Sequence, residues 1–218
     1  MASFNFDKIA ESYDNFFGAS PLKEVHTIEQ ETVEVFLDNI LKGKLLDIVC
    51  GTGRWTKFFV KNGFKCTGID ISNKMLSVAR AKSINAKWVS YEGAELPYDD
   101  DSFDVVSAMN VFEHADELYL MLDEIYRVLK PGGYLIASCM NQRSVIGTNR
   151  SDYDMFEHAK FFSKDSFTLF LSSIGEPEIT GAGVVKQNGV VDDLNKNLSE
   201  YDLFDKGVSI LGYVKKEE

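Results

Sequence analysis

The stretch Leu45-Leu46-Asp47-Ile48-Val49-Cys50-Gly51-Thr52-Gly53, "LLDIVCGTG", decides the fold. A short apolar run that stops at glycines reads as a buried strand ending in a tight turn. The residues after it, 54–62, have helical spacing and close on Gly63, so the turn opens a helix. Glycines there let backbone N–H groups approach a ligand with no Cβ in the way, and Gly51 and Gly53 meet that need. The following helix presents a positive end to a negative group. On their own, two glycines fit equally well a turn that binds nothing.

Outward from this stretch the chain alternates. A strand-like run at 64–69 leads to a helix starting at Ser72. Strand-like residues return at 86–91 and 103–109, a helix covers 116–130, and "GGYLIASC" at 132–139 is again strand-like. Strands separated by helices of this length mean βαβ units, hence a doubly wound α/β fold with a parallel sheet and helices on both faces. Upstream, Val25, Ile28, Val33, Phe36, Leu37, Ile40 and Leu41 fall at helical spacing between Ser20-Pro21 and Gly43, which predicts an amphipathic helix. After Met140 a polar stretch near 141–155 has no clear period. A helix follows at 163–174, with strands near 178–187 and 207–214 that suit a strand pair at the sheet edge. With no repeat, low-complexity tract or linker, 1–218 reads as one domain.

Composition narrows the function. The 218 residues are 44% hydrophobic and 12% aromatic, enough for a full core. Cys50, Cys66 and Cys139 are odd in number and lie in apolar runs, the usage of a reducing compartment. No Cys/His spacing suggests zinc, and the Asp99-Asp100-Asp101 run reads as an exposed loop, so no metal is expected. The N-terminus lacks a secretory pattern and no apolar run could span a bilayer, so a soluble cytoplasmic protein with no membrane partner is expected. A net charge of −11 argues against nucleic acid.

In an open parallel sheet, ligands bind beyond the carboxyl ends of the strands where strand order reverses. The next strand ends in "TGIDIS", placing Asp70 at the distance where an acidic side chain accepts from ribose hydroxyls. The alternative for Asp70 is a helix N-cap, for which Ser72 is better suited. A dinucleotide fingerprint wants a third glycine three residues after the second, and that position is Thr56. The pyrophosphate reading weakens accordingly.

Five segments, "FDKIAESYD" (6–14), "LLDIVCGTGRWTKFF" (45–59), "GIDISNKML" (68–76), "EGAELPYDDDSFDVV" (92–106) and "EIYRVLKPGGYLIAS" (124–138), occur in order and spacing. Together they resemble class I S-adenosylmethionine-dependent methyltransferases of the small-molecule branch, the ubiquinone/menaquinone-biosynthesis type. The similarity covers roughly 6–140, and "HAKFFSKDSFTLFLSSIG" (158–175) is a looser match. The resemblance implies strand order 3-2-1-4-5-7-6 with the last strand antiparallel. It implies an N-terminal helical lid (1–43), a cofactor-binding core (44–140) and an acceptor-side insert with the C-terminal strand pair (141–218). It places Gly51 and Gly53 along the methionyl part of S-adenosylmethionine, with Asp47 orienting the loop or the cofactor ammonium. Asp70 would take the ribose hydroxyls, Ile71 would pack on the adenine, and Glu92 and Gly93 would meet its edge. Asn110 and Val111 would face the sulfonium. S-adenosylhomocysteine would be the product. For Glu92 the alternative is a solvated surface acid, and "LKPGG" (129–133) reads as a plain turn.

Val49 departs from the resemblance, which has glycine there. Its β-branched side chain resists positive φ: an extended backbone would only crowd the site, whereas positive φ would strain or shift the loop. A sulfonium methyl is already activated, so alignment with a small-molecule methyl acceptor in a dry pocket is the main requirement, with general-base help only for an acceptor that keeps its proton. His114 is the candidate base, its alternative a hydrogen-bonded histidine at a helix start. Tyr13 is a candidate to close over the sulfonium with its ring face. Tyr153, His158, Phe156, Phe161, Phe162, Phe167 and Phe170 are candidates for the acceptor wall, or core. Two other classes stay open: a nicotinamide-dependent oxidoreductase, disfavoured by Thr56, and a non-catalytic module whose cofactor binding Val49 has weakened. Oligomeric state leaves no mark in the sequence.

Overall fold

The computed structural model describes residues 4–19, 21–185 and 200–217. The strands are β1 (Lys44–Ile48), β2 (Lys65–Asp70), β3 (Lys87–Ser90), β4 (Phe103–Met109), β5 (Leu129–Met140), β6 (Pro177–Val184) and β7 (Gly207–Lys215). The helices are α1 (Tyr13–Gly18), α2 (Leu22–Leu37), α3 (Arg54–Lys61), α4 (Asn73–Ala81), α5 (Leu118–Val128), α6 (Val145–Thr148), α7 (Lys164–Leu171) and α8 (Glu200–Lys206). All seven strands form one sheet in the order β3-β2-β1-β4-β5-β7-β6. Every pairing is parallel except those of β7, which runs antiparallel to β5 and to β6. This is the expected order. The end of the last-but-one strand expected at 186–187, and Ser20 before α2, lie outside the described residues.

Continuous apolar runs become central strands because both faces of the sheet are covered. Leu45 and Leu46 are both fully buried and point to opposite faces. Leu45 joins Val33, Phe36 and Leu37 of α2 and Trp55, Phe58 and Phe59 of α3. Leu46 joins Leu122, Ile125 and Val128 of α5 and Phe167, Phe170 and Leu171 of α7. Each such burial is worth roughly 1.5–3 kcal/mol. Phe162, Phe167 and Phe170 therefore belong to the core.

A third apolar cluster caps the carboxyl ends of the strands. Val25, Met140, Ile146, Met155, Phe156 and Val208 form it, and Phe4, Phe6, Tyr13 and Phe16 pack against it. The N-terminal segment and the 141–162 region thus meet over the place where strand order reverses, between β1 and β4.

Three local expectations shift. The helix α2 ends at Leu37; Ile40 stays buried in the turn after it, while Leu41 is 91% exposed. The "LKPGG" stretch is a bulge inside β5: Leu129 pairs with Phe103 and Tyr134 with Val105, and Gly132 takes φ +73°, which lets the extra residues loop out. The helix α8 was not anticipated, since it is short and follows a stretch without apolar period.

Candidate active site

The β1–α3 turn is wound left-handed at alternate residues: Val49 has φ +49°, Gly51 φ +54° and Gly53 φ +76°. The conditional posed by Val49 resolves to the strained branch. A left-handed backbone costs a residue with a Cβ about 1–2 kcal/mol, and β-branching makes it worse. The turn is braced from below, where Thr56 Oγ1 donates to Asp47 Oδ2. Asp47 is 2% exposed, and burial pushes its carboxyl up to about 6 although the Thr56 hydrogen bond pulls the other way. Thr56, noted in the sequence only as a missing glycine, thus ties the helix start to the strand end.

Asp70 closes the turn from the side. Its Oδ2 accepts from Gly51 N at 2.7 Å and its Oδ1 from Ser72 N at 2.8 Å. Burial lifts its carboxyl above the usual range against both amides. Ser72 caps α4 by accepting from Met75 N at 3.0 Å, as expected. The carboxylate therefore belongs to the turn and not to the helix cap.

In front of these residues lies a cavity of about 480 Å³ lined by Val49, Gly51, Asp70, Ile71 and Ser72 at one end. Asn110, Val111, Glu113 and His114, just beyond β4, form a second side, and Met140, Met155 and Phe156 a third. Asn110 adopts φ +56°, and its Oδ1 accepts from Ser138 Oγ at 3.0 Å, which fixes the chain as it leaves β4. Phe4, Asn5, Phe6, Asp7, Tyr13 and Phe17 cover the front. That cover is pinned by its acids: Ser72 Oγ donates to Asp7, Thr52 Oγ1 to Asp14 Oδ1 at 2.6 Å, and Lys82 pairs with Asp14.

The structure gathers Asp70, Ile71, Val49, Gly51, Asn110, Val111, Tyr13 and His114 around this cavity, and Asp47 lines a smaller one of about 40 Å³ beneath the turn. Gly53 is not on the wall. A Cβ there would come within 2.5 Å of Trp88, so its role is close packing of the turn against β3. Glu92 and Gly93 are exposed and outside the lining. Tyr91 beside them packs on the core, and a Cβ on Gly93 would meet its hydroxyl. His158 is exposed on the far side of its turn, beside Glu157. Tyr153 lines a narrow extension of about 20 Å³ with Phe16, Phe156 and Glu29, and Phe161 packs against Phe156.

Sequence reasoning missed Glu113. It is 1% exposed in a 3-10 turn at Phe112–His114, and burial pushes its carboxyl up to about 8. The signal was an acid inside the apolar "NVFEH", which the neighbouring histidine drew attention from. Burial drives His114 down to about 4, and its ring stacks on Phe156 with centroids 6.2 Å apart.

The residues fit S-adenosylmethionine. A Cβ on Gly51 would meet nothing within 4 Å, so the turn leaves open space there. The lining of the main cavity carries Asp7, Asp70 and Glu113 and, among the described residues, no Lys or Arg. Carboxylates suit a cofactor that bears a sulfonium and an ammonium and offer nothing to a pyrophosphate, which removes support from the nicotinamide reading. About 480 Å³ is also within the ordinary range for small-molecule sites.

Comparison with known proteins agrees. A methyltransferase domain family matches residues 46–137. The demethylmenaquinone methyltransferase of Bacillus subtilis is 30% identical over 181 residues, covering 78% of this chain and 75% of that one. An uncharacterized protein of Methanocaldococcus jannaschii is 31% identical over 175 residues, covering 78% of this chain and 80% of that one. Among solved structures, an S-adenosylmethionine-dependent methyltransferase of Thermotoga maritima superposes with a TM-score of 0.72 over 98% of both chains, at 22% identity, which shows the shared fold. The chain belongs to the class I S-adenosylmethionine-dependent methyltransferases, of the menaquinone/ubiquinone type.

Proposed function

We propose that this methyltransferase modifies a small acceptor with a flat apolar body, held between Phe156, Met155, Met140 and His114 at the end of the cavity away from Asp70. The observation that carries this reading is the apolar end of the cavity, where Met140, Met155, Phe156 and the His114 ring form the wall beside the 141–162 region with Glu113 the one acid among them. The Bacillus subtilis relative is named for demethylmenaquinone, and a fused-ring quinol of that kind matches the apolar end. A methyl leaving as a cation needs an electron-rich partner, which favours the reduced quinol over the quinone.

When bound, S-adenosylmethionine supplies a methyl carbon activated by its positive sulfur. The chain's own residues bind and align. Asp70 and the Gly51 turn fix the nucleoside side, and Asn110, locked by Ser138, shapes the wall between the two ends. Tyr13 stays neutral, its hydroxyl pushed up to about 12 by burial, and presents an aromatic face to positive charge. Phe6, Tyr13 and Phe17 keep water out of the front. His114, neutral at ordinary pH and weakly basic, serves as wall more than as proton acceptor. The three free cysteines suit a reducing compartment, and no helix among the described residues is long and apolar enough to cross a membrane.

The test is transfer of labelled methyl from the cofactor to a panel of quinols, catechols and alkylamines. Labelling of short-chain demethylmenaquinol or another flat aromatic supports the proposal. Labelling of aliphatic amines alone overturns it.

A further inference from the structure

Four carboxylates face the cavity or its narrow extension, and three are already engaged. Asp7 accepts from Ser72, Asp70 from two amides, and Glu29 from Ser209 Oγ with His26 Nδ1 at 3.4 Å. Glu113 differs. The amides of Glu113 itself and of Met140 lie near enough to favour its charged form, yet neither carboxylate oxygen reaches hydrogen-bonding geometry with any described residue. Such a group is costly to bury, and native structures rarely keep one without a use.

Nor can it swing away to water. Phe112 beside it is 1% exposed and wedged against Phe170 at 4.8 Å, while the Glu113 carbonyl accepts from Lys160 N at 2.8 Å. These contacts hold the turn, and Glu113 lines the cavity between His114 and Met140 with both carboxylate oxygens buried.

We propose that Glu113 is the acceptor-binding group of this site: its carboxylate takes the hydrogen bond, and then the proton, of an aromatic hydroxyl on the methyl acceptor. The inference rests on the methyl-transfer reading above and narrows it to phenols and quinols. In the proton step the acceptor O–H bond breaks, the proton goes to a Glu113 carboxylate oxygen, and both bonding electrons remain on the acceptor oxygen. The charge spreads into the ring and raises its nucleophilicity. The proton leaves to solvent after turnover. A base held near 8 is well matched to a hydroxyl that ionises a few units higher. The other titratable groups around it are Tyr13 from α1, Glu29 from α2, His114 in the same turn and Cys139 from β5, with Asp7 and Asp70 across the cavity. Tyr13 and Cys139 are lifted by burial and His114 is lowered, so all three stay neutral where Glu113 titrates.

The experiment uses the full chain, Glu113→Gln and Glu113→Asp. The probes are a short-chain prenyl-1,4-naphthoquinol kept reduced, its dimethyl ether, a catechol and a simple phenol. Binding is measured with S-adenosylhomocysteine saturating, and kcat/KM with labelled cofactor between about pH 6 and 9.5. The wild type is expected to bind a hydroxyl probe about tenfold or more tightly over the ether. Glu113→Gln is expected to erase that preference, lower kcat/KM on the order of a hundredfold and remove the rise of kcat/KM with pH, while Glu113→Asp restores part of each. S-adenosylhomocysteine affinity should stay near wild type, and the melting temperature should not fall. Equal binding of hydroxyl probe and ether, or retained turnover in Glu113→Gln, overturns the proposal. So does a loss of S-adenosylhomocysteine binding in Glu113→Gln, which would assign Glu113 to the cofactor. If the wild type binds S-adenosylhomocysteine but methylates none of the hydroxyl probes, this proposal falls alone; if it does not bind S-adenosylhomocysteine, the methyl-transfer reading falls with it.

Discussion

Replacing Val49 with glycine should tighten cofactor binding while leaving stability nearly unchanged. Relief of the left-handed backbone is worth about 1–2 kcal/mol. Against it stands the larger conformational freedom of glycine in the unfolded chain, about 0.5–1 kcal/mol. The side chain is 48% exposed, so roughly half of a valine's burial is also lost, about 1 kcal/mol. These offset, and the melting temperature should move by no more than about 2–4 °C for a chain of this size. Affinity behaves differently. Strain present in both free and bound protein cancels, since a ligand responds only to a difference between states. Crowding does not cancel, because the isopropyl group stands on the cavity wall beside Gly51. Removing an overpacked group of that size should return about 1–1.5 kcal/mol, a five- to tenfold lower Kd for S-adenosylhomocysteine by calorimetry. Val49→Ala separates the causes, because it keeps the strained Cβ and loses two methyls. If crowding governs, alanine recovers most of the gain. An unchanged or weaker Kd in Val49→Gly would refute the reasoning.

Two further outcomes follow from the geometry. Asp14→Ala removes the partner of Thr52 and Lys82, so limited proteolysis within residues 4–19 should quicken and S-adenosylhomocysteine should bind about three- to tenfold more weakly; an unchanged cleavage rate would show that the apolar cluster alone holds the segment. Stability should also fall as pH rises. Asp47 and Glu113 are raised from 3.8 and 4.5 to about 6 and about 8, so their contribution is complete below the ordinary carboxylate values and is lost as pH climbs through 6 and then 8. His114, lowered to about 4, acts only at the acid end, where stability is lost as pH falls through that value. Melting curves of Glu113→Gln should lack the upper limb, and a slope equal to that of wild type would count against burial as its cause.

Much of the architecture was legible because parallel strands announce themselves as unbroken apolar runs, and the five ordered segments carry the sheet order by resemblance. Side-chain roles that depend on one backbone angle or one neighbour were not. The turn glycines look alike in the sequence, yet Gly51 faces open space and Gly53 faces Trp88, and only the rotation of the turn separates them. Glu92 was expected at the adenine edge by resemblance, and it is exposed and outside the cavity lining, which a position in the sequence does not disclose. The region 141–155 showed no clear period because it is built from short helical turns fastened to Met140 and Asn141, where packing and not propensity decides the path.

The buried acids explain each other. A chain of net charge −11 turns Asp7, Asp70 and Glu113 into one cavity with no Lys or Arg on its described wall, an arrangement that self-repulsion and desolvation both oppose. Asp7 and Asp70 are relieved by hydroxyl and amide donors. Glu113 receives no such relief, and a glutamine or leucine of similar size would fill its place at less cost to folding. A local rule broken at the wall of the site, with the strained Val49 across the same cavity, is where stability is given up for function. The donor missing from Glu113 is then the acceptor itself, which arrives only when the methyl is to be transferred.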